Sequence, residues 1–147
     1  MALQISTGLR NGLMGGISGT SGFKTIFANG IVRIYDGNMP ASPDDAVTGN
    51  LLCTFSAINF SSGTAGTISK TGTTVTGVVS VAGQAGYFRL SEAVDSPGSN
   101  STTANRVDGL IGLSDQVNAD YVLPELTVAV GQSLSIQLAT FGLPMTP

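Results

Sequence analysis

The sequence contains no histidine, no tryptophan, a single cysteine and little charge. Without histidine, the Ser-His-Asp and Cys-His arrangements that activate many nucleophiles are excluded, and so is the commonest general acid–base group. Because Cys53 is the one thiol, neither a disulfide within the chain nor a zinc site is expected, and its apolar surroundings indicate a buried side chain. These absences predict a protein that is not an enzyme and holds no metal or other cofactor.

Charge is sparse as well as scattered. Charged residues make up 10% of the chain, against about 25% in ordinary soluble domains, and the net charge is -3. Nucleic-acid binding depends on clustered Lys and Arg, so nucleic acid is not expected as a partner. No apolar run approaches the roughly 18 residues of a membrane helix, and the start MALQISTG lacks the features of a secretory signal. We therefore expect a soluble protein without a membrane partner.

Small and β-branched residues are what the sequence has in abundance. It contains 20 Gly, 16 Ser and 16 Thr beside an apolar content of 41%. Runs of Val, Ile and Thr separated by Gly-rich turns are typical of short strands. The composition therefore predicts an all-β fold, a β-sandwich or jelly roll with one or two short helical turns.

Apolar runs predict the strands, and the Gly-, Pro- and Ser-rich segments between them predict the loops. In the run 73–83, Thr is expected to point outward and Val inward around Gly77. The run 121–141 reads as a closing hairpin that turns at Gly131-Gln132, and 95–105 reads as a polar surface loop. The other expected strands are 31–37, 51–60, 86–94 and 106–113.

The first 22 residues differ from the rest in being rich in both Gly and apolar side chains. We expect two units: an N-terminal arm over 1–22 and a β-sandwich domain over 23–147. Within the arm, Ser6 or Thr7 is a candidate N-cap for a short helix over about 7–14. After it, FKTIFANG (23–30) predicts a helical turn that ends with a cap at Gly30.

An acidic loop follows the first long strand. In the stretch SPDDAV (42–47), Ser42 has the character of an N-cap, Pro43 suits a first helical position, and Asp44 and Asp45 would face the positive end of the helix dipole. The stretch therefore predicts a helix start. A catalytic or metal-binding pair of carboxylates is the alternative, and it would point to a carbohydrate-binding or hydrolytic β-sandwich.

Two stretches carry a resemblance to a known class of protein. They are LQISTGLRNG (3–12), with the pattern L-x-x-S-T-G-L-R-N, and FKTIFANGIVRIYDGNMPASPDDAVTGNLLCTF (23–55), with a strand that ends in Ile-Tyr-x-Gly before a punctuated loop. Both resemble small virion proteins of tailed bacteriophages. The matching positions in the second stretch are Ile34, Tyr35, Gly37, Pro40, Ser42, Asp45, Ala46, Thr48, Gly49, Leu51 and Leu52.

The resemblance implies a non-enzymatic structural protein of the virion, a capsid decoration (cement) protein that binds and stabilises the lattice of the major capsid protein. It also implies a homotrimer, a protein made in the bacterial cytoplasm and then located in the virion. A tail or fibre subunit is the alternative within the same particle. For the arm, the residues expected to contact the capsid or another partner are Leu3, Ile5, Leu9, Arg10, Leu13, Met14 and Ile17.

Overall fold

Strands dominate the structure, a computed structural model that describes residues 3–15, 22–64, 67–114, 119–136 and 140–142. The all-β fold class with short helical segments is confirmed. The helices are α1 (Thr7–Gly15) and α2 (Phe23–Ile26). The strands are β1 (Gln4–Ile5), β2 (Gly30–Asp36), β3 (Leu51–Ile58), β4 (Thr67–Ser69), β5 (Val75–Val78), β6 (Gly83–Ser91), β7 (Arg106–Gly112), β8 (Tyr121–Val122), β9 (Thr127–Val128), β10 (Ser133–Ile136) and β11 (Thr140–Gly142).

One main sheet organises the molecule, with strands in the order β1-β7-β6-β2-β3. Neighbours along this order are antiparallel. The short strand β8 adds to β7 in parallel, and β9 adds to β6. Two smaller pairs, β5 with β10 and β4 with β11, complete the arrangement, and β5 packs against β3.

The two faces of the main sheet have opposite character because side chains alternate along a strand. One face is apolar: Val32, Ile34, Phe88, Leu90 and Val107 are buried in a single hydrophobic cluster. Leu9 from α1, Phe27 after α2, and Leu134 and Ile136 from β10 also belong to this cluster. Burial of each large side chain contributes about 1.5–3 kcal/mol, so this face supplies the main stabilisation of the fold.

The described N-terminal residues pack on the sheet. Strand β1 pairs with β7, and Leu9 is fully buried in the hydrophobic cluster. The helix expected over about 7–14 is confirmed as α1, and Ser6 is its N-cap, since the Ser6 Oγ accepts a hydrogen bond from the Leu9 amide at 3.1 Å. The expected division of the chain at residue 22 stays a prediction.

The helical turn expected over 23–30 is also present, as α2, but its end differs from the expectation. Asn29 takes the left-handed conformation with φ +56°, so Asn29 rather than Gly30 reverses the chain there. Asn is one of the residues that tolerates this region, because its short polar side chain bonds locally. Gly30 instead begins β2 in a buried position.

The helix start expected at Ser42 is wrong, because residues 42–47 form a single turn. The Asp45 amide donates to the Ser42 carbonyl at 3.0 Å, as a turn requires, but the next bonds leave the segment. In a helix the Val47 amide would bond the Pro43 carbonyl, whereas here it bonds the Pro97 carbonyl at 3.0 Å. The Pro43 carbonyl accepts from the Arg106 side chain instead, so tertiary contacts replace the helical ones.

The closing hairpin over 121–141 is wrong in its pairing, although its turn is present. Gly131 has φ +86° and the Gln132 amide bonds the Ala129 carbonyl at 3.1 Å. However, β9 pairs with β6, and β10 pairs with β5, so the strands on either side of the turn have different partners. The turn therefore carries the chain from the main sheet to the β5–β10 pair.

Ala57 provides a test of backbone strain in β3. It is an exposed alanine with φ +59°, beside a register shift between β2 and β3. A side chain in this region costs roughly 1–2 kcal/mol that glycine avoids. We expect Ala57→Gly to raise the free energy of unfolding by about 0.5–1 kcal/mol, measured by urea denaturation.

Ala93, which is exposed and outside the left-handed region, is the matched control. Ala93→Gly is expected to lower stability by about 0.4–1 kcal/mol, since it only adds freedom to the unfolded chain. Equal losses in the two variants would contradict the assignment of strain to Ala57.

Candidate functional site

The second face of the main sheet is polar and is covered by two long loops. A row of facing residues crosses all five strands in register: Gln4, Asp108, Arg89, Arg33 and Thr54. Residues 37–50 join β2 to β3, and residues 92–105 join β6 to β7. We call these segments the covering loops, because the buried charges of this face bond to their backbones.

Arg89 and Asp108 form a fully buried ion pair at the centre of this row. Both side chains are 0% exposed, and they make two hydrogen bonds: Nε to Oδ1 at 2.7 Å and Nη2 to Oδ2 at 2.6 Å. The remaining Arg89 nitrogen, Nη1, donates to the Asp45 carbonyl at 2.9 Å and the Pro97 carbonyl at 3.4 Å. One guanidinium thus binds the sheet and both covering loops at the same time.

Burial and pairing oppose each other at this ion pair. Burial acts against the charge of Arg89, but the hydrogen bonds and the charge of Asp108 outweigh it, so the pKa of Arg89 is raised. Burial also raises the pKa of Asp108, and the contact with Arg89 offsets that rise only in part. A buried pair of this kind contributes little net stability, but it becomes very costly when one partner is lost.

Arg106 and Asp95 make a second buried pair with the same geometry. Arg106 Nε and Nη2 bond the two Asp95 oxygens at 2.9 and 2.8 Å. Arg106 Nη1 donates to the carbonyls of Pro43 at 3.2 Å and Ser99 at 3.0 Å, and Nη2 also reaches the Ser96 carbonyl at 3.2 Å. The guanidinium therefore holds both covering loops, and the loop expected over 95–105 is anchored at several points.

Two tyrosines extend the polar face toward the beginning of β6. Tyr35 and Tyr87 are stacked, with ring centroids 5.2 Å apart. The Tyr87 hydroxyl donates to the Thr48 carbonyl at 2.8 Å and accepts from the Thr48 amide at 2.9 Å, so it holds the end of the first covering loop. Burial raises the pKa of Tyr87 and raises the pKa of Tyr35 to about 12, which keeps both hydroxyls protonated at neutral pH.

The N-terminal segment is joined to this assembly through Ser6 and Thr7. The Ser6 Oγ donates to the Ala104 carbonyl at 2.7 Å and accepts from the Arg106 amide at 3.0 Å. Asp44 accepts from the Thr7 amide at 2.8 Å and from the Thr7 hydroxyl at 2.5 Å. Asp44 thus lies at the positive end of a helix, as expected, but that helix is α1 rather than one of its own segment.

The predicted contact residues of the N-terminal segment fall into three groups. Leu9 is enclosed in the core, and Leu3 is half-buried against it. Ile5 and Leu13 are each 38% exposed, and Arg10 is exposed, with a hydrogen bond of 3.0 Å from Nη2 to the Thr7 hydroxyl. Ile17 and the side chain of Met14 lie outside the described residues. Their partner contacts stay predictions.

The chemistry of this face is that of attachment. Its two most buried carboxylates, Asp95 and Asp108, are each bound by an arginine. Among the described residues, no group of three or more His, Cys, Asp or Glu could hold a metal ion. Cys53 is buried, as expected, and burial raises the pKa of its thiol. The two arginine–carboxylate pairs fix the covering loops onto the sheet.

The two buried pairs were not anticipated from the sequence. The sequence signal is that Arg89, Arg106 and Asp108 lie within otherwise apolar strands. The signal does not identify partners, because Arg89 is known to lie between Arg33 and Asp108 only when the register of the strands is known. Asp95 gave no signal, since its loop position resembles that of any polar surface residue.

Comparisons with protein-family models, with curated proteins and with solved structures found no match. Within the described residues, no helix is long and apolar enough to cross a membrane.

The Arg89–Asp108 pair can be tested by a double-mutant cycle. The single variants are Arg89→Met and Asp108→Leu. Asp108→Leu leaves a buried guanidinium without its carboxylate, and we expect it to lower the free energy of unfolding by about 3–5 kcal/mol. The double variant Arg89→Met/Asp108→Leu should lose much less than the sum of its single changes. Urea denaturation measures both, with the exposed Lys24→Ala as a control expected to shift stability by less than about 0.5 kcal/mol. Additive single and double losses would show that the two side chains do not act as a pair.

The contact between Asp44 and Thr7 predicts an acid-dependent anchoring of α1. Burial alone would raise the pKa of Asp44, but the hydrogen bonds from Thr7 and the charges of Arg10 and Arg106 outweigh it, so the pKa is lowered. A lowered folded-state pKa stabilises the protein above the ordinary value of about 4, and this stabilisation is lost as the pH falls through the folded pKa. We expect Asp44→Asn to cost about 1 kcal/mol at pH 7 and progressively less below about pH 4.

Hydrogen exchange at the amides of α1 is the specific measurement for this prediction. Asp44→Asn should speed exchange in α1 at pH 7. Asp36→Asn is the matched control, because the pKa of Asp36 is also lowered, by hydrogen bonds from Asn50, in a contact that does not involve α1. If both variants change exchange in α1 equally, the anchoring role of Asp44 is wrong.

Proposed function

We propose that this chain is a non-enzymatic structural protein of a bacteriophage virion, which decorates the capsid by binding the major capsid protein and other copies of itself. The resemblance of residues 3–12 and 23–55 to small virion proteins carries this proposal. The structure is consistent with it, because the two stretches contact each other: Asp44 of the second accepts hydrogen bonds from Thr7 of the first.

Several residues of the two stretches that carry the resemblance make structural contacts in the fold. Ser6 caps α1 and bonds Arg106, and Leu9 is fully buried. Gly8 lies so close to the Thr103 backbone that a side chain would not fit. Gly49 has φ +75° and faces Asp36 in the same way. The shared pattern therefore describes how the covering loops and the N-terminal segment are attached, which is an architecture that virion proteins of this type would share.

The charge distribution also supports a role in assembly. Two of the six basic residues and two of the nine acidic ones are buried in the ion pairs. The exterior is thus even poorer in charge than the composition implies. Such an exterior is unfavourable for a free protein, whose solubility depends on surface charge, and suits one that is largely covered by neighbours.

Partner contact by the N-terminal segment is best assigned to its exposed members. Ile5, Leu13 and Arg10 are accessible, whereas Leu9 contributes to the core. Deletion of residues 1–22 is therefore not a clean test, because it would also remove Leu9 and the Ser6 contacts from the fold. Substitution of the exposed residues leaves those structural contacts in place.

A tail or fibre subunit is the second candidate, and one observation favours it. The covering loop 92–105 presents Val94 with 90% of its surface exposed, beside exposed small and polar residues such as Ser96 and Gly98. Val94 is thus an apolar side chain available to another surface, on a loop that the two buried arginines hold in place. This arrangement suits a loop that meets a host receptor.

Immunogold labelling of purified virions tests the proposal. An antibody against this protein should label the whole surface of the head, because a decoration protein occupies the entire lattice. Label confined to the tail would favour the second candidate. Absence of the chain from virions, checked by mass spectrometry, would overturn both.

Reconstitution on heads that lack the chain tests the contact residues. The variant Ile5→Ser/Leu13→Ser should fold normally and sediment with heads at least tenfold more weakly than the original, since two exposed apolar contacts are lost at every copy. The matched control is Val94→Ser, a change at a still more exposed apolar side chain in a covering loop. Unchanged sedimentation of the first variant, or an equal loss in the control, would remove the N-terminal segment from the interface.

A further inference from the structure

Three valines are strongly exposed at the end of the molecule where β6 begins. Val78 is 61% exposed, Val81 is 43% exposed and Val130 is 67% exposed. They belong to neighbouring segments: the Gly131 amide bonds the Val79 carbonyl at 2.9 Å, and the Val79 amide bonds the Gln132 carbonyl at 2.9 Å. We call this group, Val78, Val81 and Val130, the valine edge.

Val78 points outward because of the glycine before it. Gly77 takes the inward position of β5 and lies against β3, where a side chain would be 2.6 Å from the Thr54 carbonyl oxygen and 2.8 Å from the Cys53 sulfur. Alternation along the strand then directs Val78 to solvent and Val79 inward, so the expectation that Val points inward around Gly77 is confirmed for Val79 and wrong for Val78. Thr76 points outward as expected. The close contact with β3 therefore creates the exposed valine.

The outer side of the β5–β10 pair, beside the valine edge, carries no charged side chain among the described residues. Thr76 faces Ser135 across the β5–β10 pair, and Val78 faces Ser133, so these four exposed side chains share one side of the pair. The sequence has no charged residue in 71–88 or in 126–147. The carboxylate nearest to Gly83, that of Asp36, is occupied by hydrogen bonds from the Asn50 amide at 2.6 Å and its side chain at 3.0 Å.

The absence of charge favours one kind of occupant. Two copies of this chain carry the same net charge of -3, so a contact between them is opposed least where neither copy contributes a charged side chain. An apolar, hydroxyl-bearing strand surface is self-complementary by composition, whereas a partner selected by charge would find nothing to recognise. A standard interface needs about 800 Å² per partner, roughly a tenth of the 7845 Å² of accessible surface.

We propose that the valine edge and the outer side of the β5–β10 pair form the surface through which copies of this chain associate. The proposal deepens the proposed function and rests on it for its purpose, since it names the contact between neighbouring copies. Association in solution is measured without virions, so its failure would leave the labelling result unaffected.

Sedimentation velocity over a wide concentration range tests this surface. The original protein should show concentration-dependent association. Val130→Asp, in the turn outside the strands, should raise the dissociation constant at least tenfold, because identical copies would then bring like charges together in a desolvated contact. Val78→Asp, within β5, should do the same. Circular dichroism establishes that each variant is folded, and Val130→Asp keeps the test valid if the change within the strand disturbs folding.

Val94→Asp is the matched control. Val94 is more exposed than either test residue. It follows the last residue of β6, whereas the valine edge lies near the first, and the two ends of this nine-residue strand are about 27 Å apart. This variant should associate like the original. A monomer for the original protein up to about 0.5 mM, or equal weakening by Val94→Asp, would overturn the proposal.

Discussion

The two buried arginines are the interaction on which the rest of this structure depends. Arg89 and Arg106 each bind one carboxylate of the sheet or its loops, and each uses its remaining donors on backbone carbonyls of the covering loops. Guanidinium is suited to this task, because its donors are fixed in a plane and cannot lose their charge. The loops are long and contain no regular secondary structure, and each guanidinium binds both of them at once, in addition to the bonds that the loops make to each other, to Tyr87 and to Thr7. Two guanidinium groups thus provide on this face what a second apolar layer would otherwise provide.

This arrangement gives the molecule an asymmetric interior. The apolar face of the sheet is covered by side chains in van der Waals contact. The polar face is covered by loop backbone, whose carbonyl groups accept hydrogen bonds from the buried arginines. Directional bonds tolerate fewer alternatives than apolar packing does, so the polar face fixes where residues 37–50 and 92–105 lie. The N-terminal segment depends on that placement in turn, since Asp44 and Ala104 supply its contacts.

Local pattern was sufficient for the elements that local forces determine. The all-β class, the strands around β2, β3, β6 and β7, the cap at Ser6 and the burial of Cys53 follow from composition, alternation and capping preference. The errors arose where distant residues compete for the same backbone group. Arg106 takes the carbonyl that a helix at Ser42 needs, and the partners of β9 and β10 lie elsewhere in the sequence. A pattern of neighbouring residues contains no information about such competition. For the same reason, the sequence predicts the contact residues of the N-terminal segment but does not separate the buried ones from the exposed ones.

The pairing of β1 with β7 joins positions about a hundred residues apart, as the bond between Ser6 and the Arg106 amide shows. During synthesis, the ribosome delivers the first of these segments several seconds before the second, at typical elongation rates of about 5–20 residues per second. Throughout that interval the segment around Leu9 lacks the β7 backbone that pairs with β1 and the Arg106 amide that bonds Ser6. Rapid translation, or a chaperone that shields short apolar segments, would therefore favour the yield of native protein.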